Sequence, residues 1–283
     1  MNHYINEYEK LIRSTLQNLG CKKELTDNQL RINGRQPENL KNNISHYGIS
    51  QLSQFFCSVM HRLIKNKPRD ILVYPKFDYK GREIGINKLK EKVIKGEALT
   101  PNLSKLIFDV PQSKKNDPLL NEWGIHHFHI PEKDGNQTFV NRTDNLLFAI
   151  VTDANFILLD VLPHSNETNT YVPWADTKII EKVEIYYPYM IKPYFIKSGV
   201  PPLTSEQRNI LRSKNGNTNI ITGGGNEYSS PGLGSMASGL PMDSLIQSDK
   251  NICFLATLKE PNITLVFDEN YQLKTSDVSN RST

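Results

Sequence analysis

The stretch LLFAIVTDANFILLDVL, residues 146–162, carries the clearest β-sheet signal in the chain. Two runs of branched and aromatic residues are separated by Asp153 and Ala154, a connection short enough for a tight turn. The stretch therefore predicts a β-hairpin. Its second run is apolar on both faces apart from Asp160, which is typical of a central strand covered by helices.

Further strand-like sequence lies on both sides of this hairpin. WGIHHFHI (123–130) precedes it, and KIIEKVEIYY (178–187) follows it. Near the C-terminus, NICFLATL (251–258) predicts another strand, and ITLVF (263–267) with YQL (271–273) predicts a second hairpin. Consecutive strands of this kind favour an antiparallel sheet.

The region before the sheet is mainly helical. Apolar residues recur at helical spacing from Tyr4 to Leu19 and again from Ile49 to Ile64, which predicts two amphipathic helices. A short strand, ILVY (71–74), follows them. Together these patterns predict an α+β fold in which N-terminal helices pack on a central antiparallel sheet, with a Gly-rich loop and a C-terminal hairpin.

The composition changes along the chain and divides it into four parts. These are a mainly helical part over residues 1–115, an antiparallel sheet core with the histidines over 116–198, a Gly-rich loop or linker over 199–250, and C-terminal strands with a tail over 251–283. The Gly-rich part is open to two interpretations, a flexible linker or a loop that folds over a ligand or a phosphate backbone. If the loop faces a ligand, we expect its glycines to matter more for activity than for thermal stability when they are replaced by alanine.

The overall composition is that of a folded protein with a mild basic excess. With 283 residues the chain is long enough for one large domain or two smaller ones, and its net charge of +4 permits a polyanionic partner without requiring one. Its three cysteines are far apart and form no CxxC pair, which favours a reducing cytoplasmic location over a disulfide framework. No apolar window of about 18 residues occurs, so we expect no membrane partner.

Three of the seven histidines lie within WGIHHFHI. Because side chains alternate across a strand, we expect His127 and His129 to share one face and His126 to point to the other. His164 lies at the exit of the predicted hairpin, and Arg142 lies just before its first strand. In an antiparallel meander these side chains could converge on one surface.

Three kinds of role are open for this cluster. Histidine can take or give a proton near neutrality, and arginine can hold phosphate through two hydrogen bonds, so the set suits phosphodiester cleavage without a metal. His127, His129 and His164 could instead bind a metal ion with Asp160, although neither an HExxH motif nor a cysteine pair accompanies them. Each ring could also be an ordinary strand histidine that donates to a backbone carbonyl.

Other residues are candidates for contacts with a substrate. Trp174 and Tyr171 follow the hairpin and could stack on a base, with core packing as the alternative. Gly232 and Gly234 are the candidates within the Gly-rich loop, where glycine allows the backbone to approach a ligand closely.

The unit that runs from WGIHHFHI through Arg142 and LLFAIVTDANFILLDVLPH to Trp174 resembles the small antiparallel sheet of bacterial toxin-type ribonucleases. These form the barnase-like class that includes the mRNA interferases. The resemblance covers residues 120–190, and the N-terminal helices and the Gly-rich part have no counterpart in that class. It implies that His164 is a catalytic residue at the strand exit, that Arg142 binds phosphate, and that His127 or His129 is the partner acid or base.

The resulting hypothesis is a metal-independent ribonuclease, in the setting of a toxin or a phage-defence effector. It has no predicted cofactor, and its expected partners are RNA and an antitoxin or another regulatory protein. One alternative is a non-enzymatic module that binds protein or nucleic acid through the sheet and the Gly-rich loop. Another is a metal-dependent hydrolase that uses the histidines.

Overall fold

The computed structural model describes residues 2–21, 44–108, 117–132, 139–164, 172–197, 199, 201–259, 263–269 and 271–277. Within these ranges the chain forms eight α-helices and nine β-strands, which confirms the α+β class. It divides into two compact units, both of which draw on separated parts of the sequence. The smaller unit comprises residues 1–62, 106–114 and 243–283, and the larger one comprises 63–105 and 115–242.

The larger unit contains a four-stranded sheet with the strand order β1-β4-β3-β2. Its strands are β1 (Asp70–Val73), β2 (Ile125–His129), β3 (Asn145–Val151) and β4 (Asn155–Pro163). The last three form an antiparallel meander, which confirms the hairpin predicted at residues 146–162. One edge of the sheet departs from this pattern, because β1 pairs with β4 in parallel after a long crossover. β4 is thus a central strand, as its two apolar faces predicted.

Helices of the larger unit bury apolar stripes. α3 (Glu83–Lys95) buries Ile86, Leu89 and Val93. α5 (Lys178–Tyr186) buries Ile179, Ile180 and Val183 in the core cluster that also contains Phe148 of β3 and Leu159 of β4. The strand predicted for KIIEKVEIYY is therefore wrong. Its buried positions follow the helical period, and this spacing outweighs the β-branched content that suggested a strand.

Most of the Gly-rich part, up to residue 242, belongs to the larger unit. α7 (Ser205–Ser213) begins with a capping box in which Thr204 and Gln207 bond to each other's backbone N–H. Three two-residue strands, β5 (Phe195–Ile196), β6 (Ile220–Ile221) and β7 (Glu227–Tyr228), form a small sheet in the order β5-β7-β6. This segment is therefore neither a structureless linker nor an open loop. Two short helices complete the unit, α4 (Pro118–Trp123) and α6 (Pro188–Ile191).

The smaller unit combines helices with a hairpin. Its elements are α1 (Asn2–Asn18), α2 (Ile44–Arg62), most of α8 (Met242–Thr257) and the antiparallel pair β8 (Ile263–Phe267) and β9 (Leu273–Asp277). The two N-terminal helices and the C-terminal hairpin confirm the sequence prediction. The hydroxyl of buried Tyr8 bonds to Ser53 Oγ at 2.9 Å and accepts from Asn251 Nδ2 at 2.8 Å, so a polar network joins α1, α2 and α8.

The strand predicted for NICFLATL is wrong, because these residues belong to α8. The buried positions of this helix are Ser244, Ser248, Asn251 and Leu255, which recur at helical spacing. Three of the four are polar, so a search for apolar periodicity does not detect the buried face. Among the described residues, no helix is both long and apolar enough to cross a membrane.

Candidate functional site

β2 places the histidines as the alternation predicted. Its pairing with β3 sets His127 opposite Phe148 and His129 opposite Leu146. The His127 ring lies 6.2 Å from the Phe148 ring, and the His126 ring lies 6.1 Å from the Phe128 ring, measured between centroids. His127 and His129 therefore share one face of the sheet, and His126 belongs to the other.

His127 lies at hydrogen-bond distance from the carboxylate of Asp117, a residue that the sequence analysis did not select. His127 Nδ1 lies 2.8 Å from Asp117 Oδ2, and the two side chains are 25% and 21% exposed. Asp117 also caps the N-terminus of α4, since its Oδ1 accepts from the Leu120 N–H at 3.1 Å. The Asp-Pro pair at 117–118 is a helix-start signal from which this cap could have been predicted.

The electrostatics of this pair keep Asp117 ionised. Burial acts to raise the pKa of Asp117, but the positive charge of His127 and the hydrogen bonds from His127 and the Leu120 N–H outweigh it, and the pKa is lowered. A carboxylate that accepts from Nδ1–H fixes the tautomer of the imidazole and leaves Nε2 as the basic nitrogen. The arrangement is that of a general base with an orienting carboxylate.

His129 has a different environment on the same face. His129 is 3% exposed, and its Nδ1 accepts from the Thr143 N–H at 3.3 Å. Burial, followed by the positive charges of His127, His164, Arg142 and Lys105, lowers the pKa of His129 to about 3. The ring is therefore neutral at pH 7. A neutral imidazole cannot act as the protonated acid of a reaction near neutrality, so His127 is the stronger candidate for proton transfer on this face.

His164 lies next to His129, and Arg142 is close enough for its charge to act on the His129 ring. The rings of His164 and His129 stack with a centroid separation of 6.0 Å and an interplanar angle of 18°. The backbone N–H of His164 donates to the Asp144 carbonyl at 2.6 Å, which ties the exit of β4 to the entry of β3. Arg142 is exposed in the loop before β3, and its charge acts on His129. Lys105 adds another exposed cation that the sequence analysis missed.

We use the name histidine face for the set formed by His127, His129, His164, Arg142 and Lys105. Asp117 contributes a carboxylate at 2.8 Å from His127. The excess of positive charge around a neutral, buried imidazole is suited to an anionic group such as phosphate.

Trp174, a candidate for stacking on a base, makes contacts within the protein. Trp174 lies in a 3₁₀ turn, Pro173–Ala175, and packs against the core cluster of the sheet. Its carbonyl oxygen accepts from Arg212 Nη1. These contacts correspond to the core-packing alternative for Trp174. Tyr171 lies outside the described residues.

Gly232 and Gly234 hold the Gly-rich segment against α4. The N–H of Gly232 donates to the Glu122 carbonyl at 2.9 Å, and the N–H of Gly234 donates to the Asn121 carbonyl at 3.2 Å. A Cβ at Gly232 would lie 2.3 Å from the Asn121 oxygen, closer than side chains pack. This contact predicts that alanine at Gly232 lowers stability, in contrast to the expectation that the glycines matter mainly for activity. These glycines allow a close approach between two backbones of the protein itself.

A buried ion pair fixes α4 from a second side. Glu122 and Arg212 of α7 are each 2% exposed at the side chain, and Arg212 Nε donates to Glu122 Oε1 at 2.8 Å. Trp123 Nε1 donates to Glu122 Oε2 at 3.2 Å. α4 leads directly into β2, so these contacts position Asp117 relative to His127. Sequence reasoning missed this support because Glu122 and Arg212 are 90 residues apart.

Within the described ranges, no group of three or more His, Cys, Asp or Glu side chains is placed to hold a metal ion. The metal-dependent alternative thus rests on the sequence pattern alone. Comparisons with models of protein families, with curated proteins and with solved structures gave no match to this chain. The functional argument therefore depends on the geometry of the histidine face.

Proposed function

We propose that the chain is a metal-independent endoribonuclease in which His127 is the general base. The observation that carries this proposal is the Asp117–His127 pair, with Nδ1 bonded to a carboxylate at 2.8 Å on a face that also holds Arg142 and His164. A positioned imidazole near a cationic phosphate site is what transesterification of RNA requires.

The reaction uses the nucleophile that RNA itself carries. His127 Nε2 accepts the proton of a 2′-hydroxyl, and the resulting oxygen attacks the adjacent phosphorus. The bond from phosphorus to the 5′-oxygen breaks, and protonated His164 gives that oxygen its proton. The products are a 2′,3′-cyclic phosphate and a 5′-hydroxyl, so atoms and protons balance. Arg142 binds the non-bridging oxygens, where charge accumulates in the transition state.

The biological setting belongs to the same proposal. The resemblance to toxin-type ribonucleases supports a toxin or phage-defence effector that an antitoxin or another protein regulates. Cys21, Cys57 and Cys253 are all free thiols, which supports a reducing cytoplasm.

The test is cleavage of a labelled single-stranded RNA by the purified chain in the presence of EDTA. We expect His127→Ala to lower turnover about 10²–10⁴-fold, the usual contribution of a general base. Asp117→Asn should lower it within the same range, because an amide can donate to Nδ1 and favour the wrong tautomer. Arg142→Lys should also lower turnover, because a point charge replaces a two-pronged contact.

His126→Ala is the matched control, since this ring lies on the opposite face of the same strand. Its activity should stay within a few-fold of the parent. Chromatography of the products should show the cyclic phosphate. Loss of cleavage in EDTA with recovery in Mg²⁺ would point to the metal-dependent alternative, and RNA binding without cleavage would point to a binding module.

A further inference from the structure

The segment YPKFDYKGR, residues 74–82, alternates aromatic and basic residues on the larger unit. We infer that it forms, with Tyr186, Lys90 and Lys182, a surface that binds unpaired bases of a single-stranded RNA. We call this set the aromatic ladder. The inference rests on the proposed function for the identity of the ligand, and it adds where and how that ligand is held.

Four rings of the aromatic ladder contact one another in succession. Tyr186 stacks on Tyr74 with centroids 4.6 Å apart and an interplanar angle of 24°. Phe77 meets Tyr74 edge-on at 5.8 Å, and Tyr79 meets Phe77 edge-on at 4.9 Å. Tyr74 belongs to the core cluster, and Phe77 and Tyr186 pack against it with part of each ring exposed. Tyr79 is half-buried and lies outside that cluster. An unpaired base can therefore stack on rings that the protein already holds in place.

Cations accompany the rings. Lys90 Nζ lies 5.8 Å from the Tyr79 ring centroid, and Lys182 Nζ lies 5.4 Å from that of Tyr74. Lys76 and Lys80 are exposed. Residues 74–82 contain three basic side chains and one acidic side chain. Positive charge beside aromatic rings is the combination that follows a phosphate backbone and its bases.

Three ion pairs reduce this positive charge without reversing it. Arg82 Nη1 lies 3.8 Å from Glu132 Oε1. Asp78 Oδ2 lies 2.6 Å from Lys80 Nζ, and Asp160 Oδ2 lies 2.5 Å from Lys182 Nζ. The Asp78–Lys80 pair is exposed, so an incoming phosphate can compete for the lysine at little cost.

The sheet connects the aromatic ladder to the histidine face. Asp160, which binds Lys182, lies in register with Phe148, and Phe148 lies in register with His127. These residues form one row across three strands. Asp160 and His127 are therefore about 10 Å apart across the sheet, which is two spacings between neighbouring strands. A strand of a few nucleotides can span this distance. The ladder would then hold bases that flank the phosphate at His127.

The experiment measures binding of a fluorescein-labelled ten-nucleotide single-stranded RNA by anisotropy, in the His127→Ala background so that cleavage does not interfere. Tyr79→Ala and Phe77→Leu should each weaken binding about 5–100-fold, as loss of one stacking contact does. Leucine keeps the apolar packing of Phe77 and removes only the ring. Tyr189→Ala is the matched control, because this tyrosine is 64% exposed on α6 and lies outside the ladder.

In the cleavage assay with active protein, the ladder variants should raise KM and leave kcat within a few-fold of the parent. If ring-dependent binding occurs but the parent does not cleave RNA, the ladder stands and the ribonuclease proposal fails. If the parent cleaves RNA and Tyr79→Ala with Phe77→Leu bind as tightly as the control, the ladder fails alone. Equal affinity for a perfectly paired duplex also overturns it, because paired bases offer no face for stacking.

Discussion

Single residues decide the chemistry of the histidine face. His127 and His129 are two positions apart on one strand, yet one is a quarter exposed beside a carboxylate and the other is 3% exposed among cations. The alternation of side chains predicted that both share a face. It could not distinguish between them, because the burial of His129 and the approach of Asp117 are set by residues from other elements.

The lowered pKa of His129 predicts how stability depends on pH. In the unfolded chain this group takes up a proton as the pH falls through its ordinary value of 6.5, and in the folded chain it does so only near 3. The unfolded state therefore binds more protons between these values. The contribution of His129 to the free energy of unfolding is present above pH 6.5 and decreases by up to about 1.4 kcal/mol per pH unit as the pH falls toward 3.

Urea unfolding from pH 4 to pH 7 tests this, with His129→Gln compared with the parent. The variant should lose less stability than the parent as the pH falls, because glutamine does not titrate. His3→Gln is the control for the same substitution at a surface position, since the His3 side chain is 67% exposed. Parallel curves for parent and His129→Gln would mean that the ring titrates normally.

At the scale of elements, α4 supports the site, and the Gly-rich segment in turn supports α4. Gly234 and Gly225 separate two effects of glycine, since both have a positive φ, +78° and +80°. A Cβ at Gly234 would lie 2.1 Å from Asn217 Oδ1, whereas a Cβ at Gly225 would meet no atom within 4 Å. Asn217 itself accepts from the Ser235 N–H at 2.8 Å, so its side chain is held.

We therefore expect Gly234→Ala to lower the free energy of unfolding by more than Gly225→Ala. The second change should cost about 1–2 kcal/mol, the general cost of a non-glycine residue in the left-handed region. Gly234→Ala adds a steric clash with the side chain of Asn217, which its hydrogen bond to Ser235 holds in place. Denaturant unfolding of both variants measures the difference, and equal costs would mean that the segment moves away from Asn217 freely.

Some helices and strands were predictable from sequence patterns, and others were not. The hairpin at 146–162 was predictable because its apolar runs and its turn are contiguous. α5 was mistaken for a strand because isoleucine and valine carry β propensity, although Ile179, Ile180 and Val183 already follow the helical period. α8 was missed because its buried face is mainly Ser and Asn, whose burial depends on partners such as Tyr8. The ion pair between Glu122 and Arg212 was likewise not predictable, because only the fold brings these two residues together.

At the scale of the whole molecule, the charge is modest. The net charge is +4, so the attraction to RNA must come from local clusters and not from a general basic surface. Two such clusters occur in the larger unit, the histidine face with Arg142 and Lys105, and the aromatic ladder with Lys76 and Lys80. Contacts with about four phosphates predict a slope near −3 for the logarithm of the association constant against the logarithm of salt concentration.

The salt dependence separates the two kinds of contact. In the His127→Ala background, Lys76→Ala should make the slope shallower by about 0.7, the value for one phosphate contact with a single strand. Tyr79→Ala should weaken binding at every salt concentration and leave the slope unchanged, because stacking releases no counterions. Lys192→Ala is the control, an exposed lysine of the same unit outside both clusters. A slope near zero for the parent would show that phosphate contacts do not hold the RNA, and an equal change in slope for Lys192→Ala would show that the attraction is diffuse.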